Sequence, residues 1–258
     1  HVNTDFDALA SILAAKKLYP NAQMVISDKH NIPVRQFLSI YRDTLDLVQD
    51  NNVDWTSITE LIIVDVASLS RIGNYADQLQ KENLKITVYD HHPPKQGDVE
   101  RDAGVVDQVG ATVTLLIEEI RKRSLQISPF EATLFGLGIY SDTGSFTYSH
   151  TTARDLHAAS YLMEQGMNLE IVQRFSDVML LPEQQALLNH LFQQSSTYDI
   201  DGLQIVVTSC QHHQFQKGLA ILTQKLLDIT DADAVLTVVG MKKRVYIVGR
   251  ASSDRITL

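Results

Sequence analysis

The sequence predicts an α/β protein: a larger domain built on a parallel sheet with flanking helices, followed by a smaller α/β C-terminal domain. Three observations predict it. Near-continuous apolar runs alternate with helical patterns through the N-terminal part, as parallel strands covered on both faces require. Helical patterning then dominates from Thr112 to His190. A second strand–helix–strand pattern starts at Tyr198, after a polar interruption at Gln193–Thr197 (QQSST). These place the domains at residues 1–192 and 198–258. The chain has 258 residues, 44% of them hydrophobic, enough for a substantial core in one large or two smaller domains.

Taken in order, residues 23–27 (QMVIS), 60–66 (ELIIVDV) and 85–89 (KITVY) read as short buried strands. Residues 8–18, 32–41 and 71–82 read as the helices between them. A helix over 112–122 follows Gly110-Ala111, with Thr112 as its expected cap. The helix over 129–139 follows Ser128, and Glu131 stands where a capping box needs it. The helix over 152–164 runs to Gly166, a left-handed terminator, and 182–192 is the last helix of the first domain. In the second domain 203–209 is a strand and 218–229 a helix. Residues 234–240 and 244–248 form a hairpin around Lys242-Lys243. No internal repeat or low-complexity stretch occurs.

A formal charge of −9 with no Lys/Arg-rich block argues against extensive duplex binding. The densest basic cluster, Arg121-Lys122-Arg123, closes a predicted helix, where the dipole favours it. No apolar run reaches the roughly 18 residues of a membrane-spanning helix. Cys210, the single cysteine, lies in the run IVVTSC and is expected to be a buried structural thiol. No disulfide within the chain and no visible signal peptide lead to the expectation of a reducing cytoplasm. The chain starts at His1 inside a motif and stops at Leu258 without a terminal helix, so a longer protein is expected, with the C-terminal domain truncated.

Four clusters carry chemistry. In His1-Val-Asn3-Thr-Asp5-Phe-Asp7, alternate residues of an extended segment would place an imidazole and two carboxylates on one side. A helix cap explains Asp7 alone, but it does not explain His1 and Asp5 as well. Asp65 ends an apolar strand, at the edge where ligands bind open parallel sheets, though a strand-end Asp also caps turns. Asp90-His91-His92, stopped by two prolines, places three metal-capable groups at a second strand end. Asp142 sits in Ser141-Asp142-Thr143-Gly144, where a helical run breaks into a turn.

In order and spacing these clusters resemble the motifs of the DHH phosphoesterase family, which includes RecJ-like exonucleases, nanoRNases and cyclic-dinucleotide phosphodiesterases. The first motif, H-x-N-x-D-x-D-A-x-x-S, stands at His1–Ser11, and Asp90-His91-His92 is the triplet that names the family. The resemblance implies two divalent ions, manganese before magnesium, iron, cobalt or zinc. His1, Asp5 and Asp65 would hold one, and Asp7, Asp65, His91 and Asp142 the other, with Asp65 bridging. Asp90 would orient a histidine, His92 would face the phosphate as a donor or proton carrier, and Asn3 would brace the motif or touch the phosphate. Four carboxylates within a few ångströms would repel strongly without cations, and two divalent ions would balance them.

From about Tyr198 the chain resembles the family's associated C-terminal domain, with Arg250-x-Ser252 as a phosphate grip; the glycine-rich His loop that follows in the family is not in this sequence. The wording of the first motif is similar to that of DHH modules fused to CBS domains and a tRNA nucleotidyltransferase. The implied substrate is a short single-stranded oligonucleotide or a small nucleotide, with oligomer formation and fused domains as further expectations. The rival readings are an inorganic pyrophosphatase and a nucleotide-sensing regulatory module that does no chemistry.

Overall fold

The computed structural model describes residues 3–49, 53–81, 83–176, 180–252 and 256. The chain forms an α/β fold in two compact units, His1–Val178 and Met179–Leu258.

In the first unit, α1 (Phe6–Leu18) is the central helix. It is built of small and apolar residues, and Phe6, Ala8, Leu9, Ala10, Ala14 and Leu18 are all buried. Small side chains let α4 (Thr112–Lys122) and α5 (Pro129–Asp142) approach closely, and all three helices share one core. At Gly138 of α5 an added Cβ would lie 2.9 Å from the Ala10 Cβ and 3.3 Å from the Asp7 Cα, so only glycine allows this crossing.

Two parallel sheets flank these helices. β1 (Met24–Ile26) pairs with β2 (Leu47–Gln49), and β3 (Glu60–Val64), β4 (Lys85–Asp90) and β5 (Ala103–Val106) pair in that order. Asp65 follows β3 directly and Asp90 ends β4, so both sit at the C-terminal lip of the sheet.

The sequence reading identified β1, β3 and β4 but not β2 or β5, which are short and only half-buried or exposed. Gly104 explains the second omission. It reads as a strand breaker, yet it sits in β5 at φ +102, where any Cβ would strike the Val88 carbonyl. The helix expected over 71–82 is one α turn, α3 (Leu69–Ile72), followed by 3-10 turns over Gly73–Gln80. The Gly-Asn pair there is poor in helix propensity.

The helices α2 (Ile32–Tyr41), α6 (Ala153–Glu164) and α7 (Leu169–Ser176) complete the unit. α7 lies in the stretch where the sequence shows helical patterning without a separate helix of its own; it buries Val172 and Phe175. Phe37 of α2 stands at the centre of an aromatic cluster. Its ring lies 5.8 Å from Phe6, 5.2 Å from Phe175, 4.7 Å from Tyr41 and 6.4 Å from Phe130. These contacts tie α2, α5 and α7 to the first residue of α1.

The second unit is a four-stranded sheet ordered β6 (Ser196–Ile200), β7 (Leu203–His212), β8 (Ala234–Met241) and β9 (Arg244–Ala251). β7 and β8 are parallel and the two outer pairs antiparallel. The β8–β9 hairpin turns at Lys242, φ +52, as its sequence predicts. β6 escaped the sequence reading because every residue in it is exposed and the pattern carries no apolar face.

The helices α8 (Pro182–Gln193) and α9 (Leu219–Thr230) bury against Val206, Val235 and Val239. The sequence reading placed the domain break after α8. The contacts place α8 with the second unit, because Leu187, Leu188 and Leu191 belong to its core. Cys210 in β7 is half-buried rather than fully enclosed, and burial pushes its thiol up, away from the reactive thiolate. No helix among the described residues is long and apolar enough to cross a membrane.

Phe37→Ala should cost about 3–5 kcal/mol, measured as a fall in the urea midpoint. A loss well under 1 kcal/mol would show that the cluster does not anchor α1.

Candidate metal centre

Asp7, Asp65, His91 and Asp142 each offer a ligand atom, and these atoms lie within 4.8 Å of one another. They come from α1, the end of β3, the turn after β4 and the end of α5. Asp7 and Asp65 are 0% and 1% exposed. Burial, then the charges of Asp65 and Asp142, push the Asp7 carboxyl well above the ordinary carboxylate range, while its backbone bond to Val113 opposes them.

Two devices hold the crowded acids. The N–H groups of Thr112 and Val113, the first two residues of α4, donate to the two oxygens of Asp7 at 2.7 and 2.9 Å. Thr112 had been expected to cap α4 itself. Instead Ala111 is the N-cap residue and makes no side-chain cap bond, and the carboxylate of another helix meets the free N–H groups. The Thr112 hydroxyl donates to Asp65 at 3.2 Å. Asp65 itself adopts a left-handed backbone, φ +59, a conformation that Asp tolerates better than most residues.

His91 tests whether this set suits a cation. Its Nδ1 lies 3.0 Å from the Val109 carbonyl, which can only accept, so Nδ1 carries the proton. Nε2 is then a bare lone pair. It is buried without a hydrogen-bond partner, 3.6 Å from an Asp65 oxygen and 3.5 Å from an Asp142 oxygen. Burial also lowers the affinity of the imidazole for a second proton. A lone pair facing carboxylates is repulsive until a cation enters, and mixed imidazole and carboxylate donors suit divalent transition metals. The residues therefore fit a divalent ion.

His92 forms a second grouping with Asp65 and His91. Asp90, 1% exposed, accepts from the His92 backbone N–H at 3.3 Å and from its Nδ1 at 2.7 Å. That acceptor raises the pKa of His92, against burial and the nearby Arg71. Arg71 Nη1 donates to His92 Nε2 at 3.1 Å. The histidine that Asp90 orients is thus His92, not His91.

Asp5 caps α1 by accepting from the Ala8 N–H at 3.0 Å, so the cap considered for Asp7 falls on Asp5. It belongs to neither four- nor three-residue grouping among the described residues. Asn3 is exposed, and His1 lies outside the described residues. In the second unit, Arg250 is exposed with Nη1 on the Gly249 carbonyl, and the Ser252 hydroxyl donates to the Ala232 carbonyl.

Sequence reasoning missed three supporting residues: Arg71, Thr112 in its role on Asp65, and Asp155. Asp155, fully buried, accepts from the Gly110 N–H, the Thr114 hydroxyl, and the N–H and hydroxyl of Thr152, all at 2.7–2.8 Å. It fixes the turn that aims α4 at Asp7. The signal was available, since Thr152 and Asp155 have capping-box spacing.

The model of the DHH family, N-terminal domain, matches residues 1–139. An A-adding tRNA nucleotidyltransferase of Geobacter sulfurreducens is 38% identical over 252 residues, 97% of this chain but 29% of that protein. The bifunctional oligoribonuclease and PAP phosphatase NrnA of Mycoplasma genitalium is 28% identical over 131 residues, 50% of this chain and 41% of its own. The chain thus spans under a third of the first relative and under half of the second. The crystal structure of an exopolyphosphatase-related protein from Bacteroides fragilis covers 98% of this chain and 78% of its own, with a TM-score of 0.77 at 17% identity, a likeness of fold.

Asp142→Asn should raise the melting temperature of the metal-free protein, because it removes one of the charges crowding Asp7. It should also shrink the rise that manganese produces. An unchanged metal-free melting temperature would show that this repulsion does not weigh on the fold.

Proposed function

From the premise that the chain belongs to the DHH family, we propose that it is a metal-dependent phosphoesterase acting on short single-stranded oligonucleotides or small nucleotides. The observation that carries the reading is the bare Nε2 lone pair of His91 held among three carboxylates. The NrnA relative, named for oligoribonuclease and phosphatase activities, supports the substrate class.

In this reading His1, Asp5 and Asp65 would hold one divalent ion and Asp7, Asp65, His91 and Asp142 the other, with manganese the first choice. Such ions supply Lewis acidity to phosphate oxygens and acidify water. The remaining work falls to the chain. The N-terminus of α4 fixes Asp7, and Thr112 fixes Asp65, so the donor set is preorganised. Asp90 holds the proton of His92 on Nδ1, which leaves Nε2 as the basic nitrogen that exchanges a proton with the substrate. Asn3, Arg250 and Ser252 are the proposed contacts to the rest of the substrate, with the planar fork of Arg250 on a phosphate.

The test is manganese-dependent release of mononucleotide from a short RNA, with small nucleotides and pyrophosphate assayed beside it. Asp65→Ala should abolish release, and retained activity would refute its role as shared ligand. Turnover of pyrophosphate alone would move the assignment to a pyrophosphatase. Tight nucleotide binding without turnover in saturating manganese would make the module a sensor.

A further inference from the structure

Arg71 supports His92, yet that contact does not account for its charge. It lies on α3, the single turn that follows the Asp65 strand end, and is half-buried. Its Nη1 donates to His92 Nε2 at 3.1 Å. A guanidinium has five N–H donors and cannot lose its charge, so His92 satisfies one donor and none of the charge. No carboxylate among the described residues forms an ion pair with Arg71. Asp90, on the other side of His92, is engaged by the His92 ring and backbone. The guanidinium donates to Nε2, so that nitrogen is an acceptor here and the His92 proton sits on Nδ1. The row Asp90, His92, Arg71 therefore ends in a cation with no ion pair among the described residues, next to the histidine that groups with Asp65 and His91.

A half-buried charge of this kind is stabilised by an anion with several acceptor oxygens, and the fork geometry of arginine matches phosphate. A free carboxylate would add to the negative charge already crowded at the lip. A phosphate oxygen shared with bound cations would not meet that repulsion unshielded. We propose that Arg71 is a phosphate-binding residue of this centre: it holds His92 in the free protein and grips a phosphate oxygen of the substrate. The inference rests on the phosphoesterase reading for its substrate, but not for its test. It also makes the site selective for phosphates that reach past the metal ligands to the α3 side.

The experiment is calorimetric titration of inorganic phosphate into the manganese-loaded chain, comparing wild type with Arg71→Ala and Arg71→Lys. The alanine variant should lose roughly tenfold to a hundredfold in phosphate affinity, the scale of a hydrogen bond to a charged group. Lysine, which keeps the charge and loses the fork, should recover part of it. Manganese affinity, titrated separately, should stay at the wild-type value in both. Where turnover is measurable, KM should rise more than kcat falls.

Unchanged phosphate affinity in both variants would overturn the proposal. So would a loss of manganese affinity that accounts for the whole loss of phosphate, which would reduce Arg71 to a brace for His92. Because phosphate binding is read directly, a wild-type protein that hydrolyses no ester would count against the preceding section and not against Arg71.

Discussion

The structure turns on one electrostatic problem: three carboxylates and an imidazole lone pair brought together at the lip of a sheet, partly out of water. Coulomb repulsion at such separations is severe in a low dielectric. The fold offsets part of it before any ion arrives, by aiming the N-terminal N–H groups of α4 at Asp7. Helix ends have orphan donors that must be met somewhere, and buried acids need donors. Here one deficit satisfies the other. The arrangement constrains much else: the small residues of α1, the glycine at 138 where α5 crosses it, and the fully buried Asp155 that sets the turn before α4.

Much of this was legible in the sequence because the informative residues are local punctuation. Ser128 with Glu131, and Gly166 at φ +89, mark helix ends by chemistry confined to a few residues, and they were read correctly. The apolar runs ending in Asp65 and Asp90 marked strands and their C-terminal lip together. What the sequence hid is set by tertiary contact. β6 and β2 are strands by pairing, not by pattern. α8 reads as a continuation of the helical region, and only its three packed leucines assign it to the second unit. Thr112 carries a capping signature, but its amide serves an aspartate from a helix more than a hundred positions earlier. No local rule reaches that far.

The two histidines of the triplet illustrate the same division. Their adjacency identifies metal-capable chemistry, but not which does what. The separation comes from their partners: a backbone carbonyl on Nδ1 of His91, and a carboxylate on Nδ1 of His92. In both cases the second nitrogen is left as an acceptor, one facing carboxylates and the other a guanidinium. The same ring thus becomes suited to coordination in one place and to an exchange of hydrogen-bond partners in the other, through second contacts alone.

The left-handed backbone at Asp65 restricts what can replace it. Outside glycine, asparagine is the residue that most readily shares this conformation, and it matches aspartate in shape while lacking the charge. A single-residue drift to asparagine would keep the bend and the strand end while removing a charge from the one residue besides His91 that belongs to both acidic groupings. The architecture therefore offers an unusually short evolutionary path from a cluster fit for a cation to a folded one that is not, and that path runs through the main chain at position 65 as much as through its side chain.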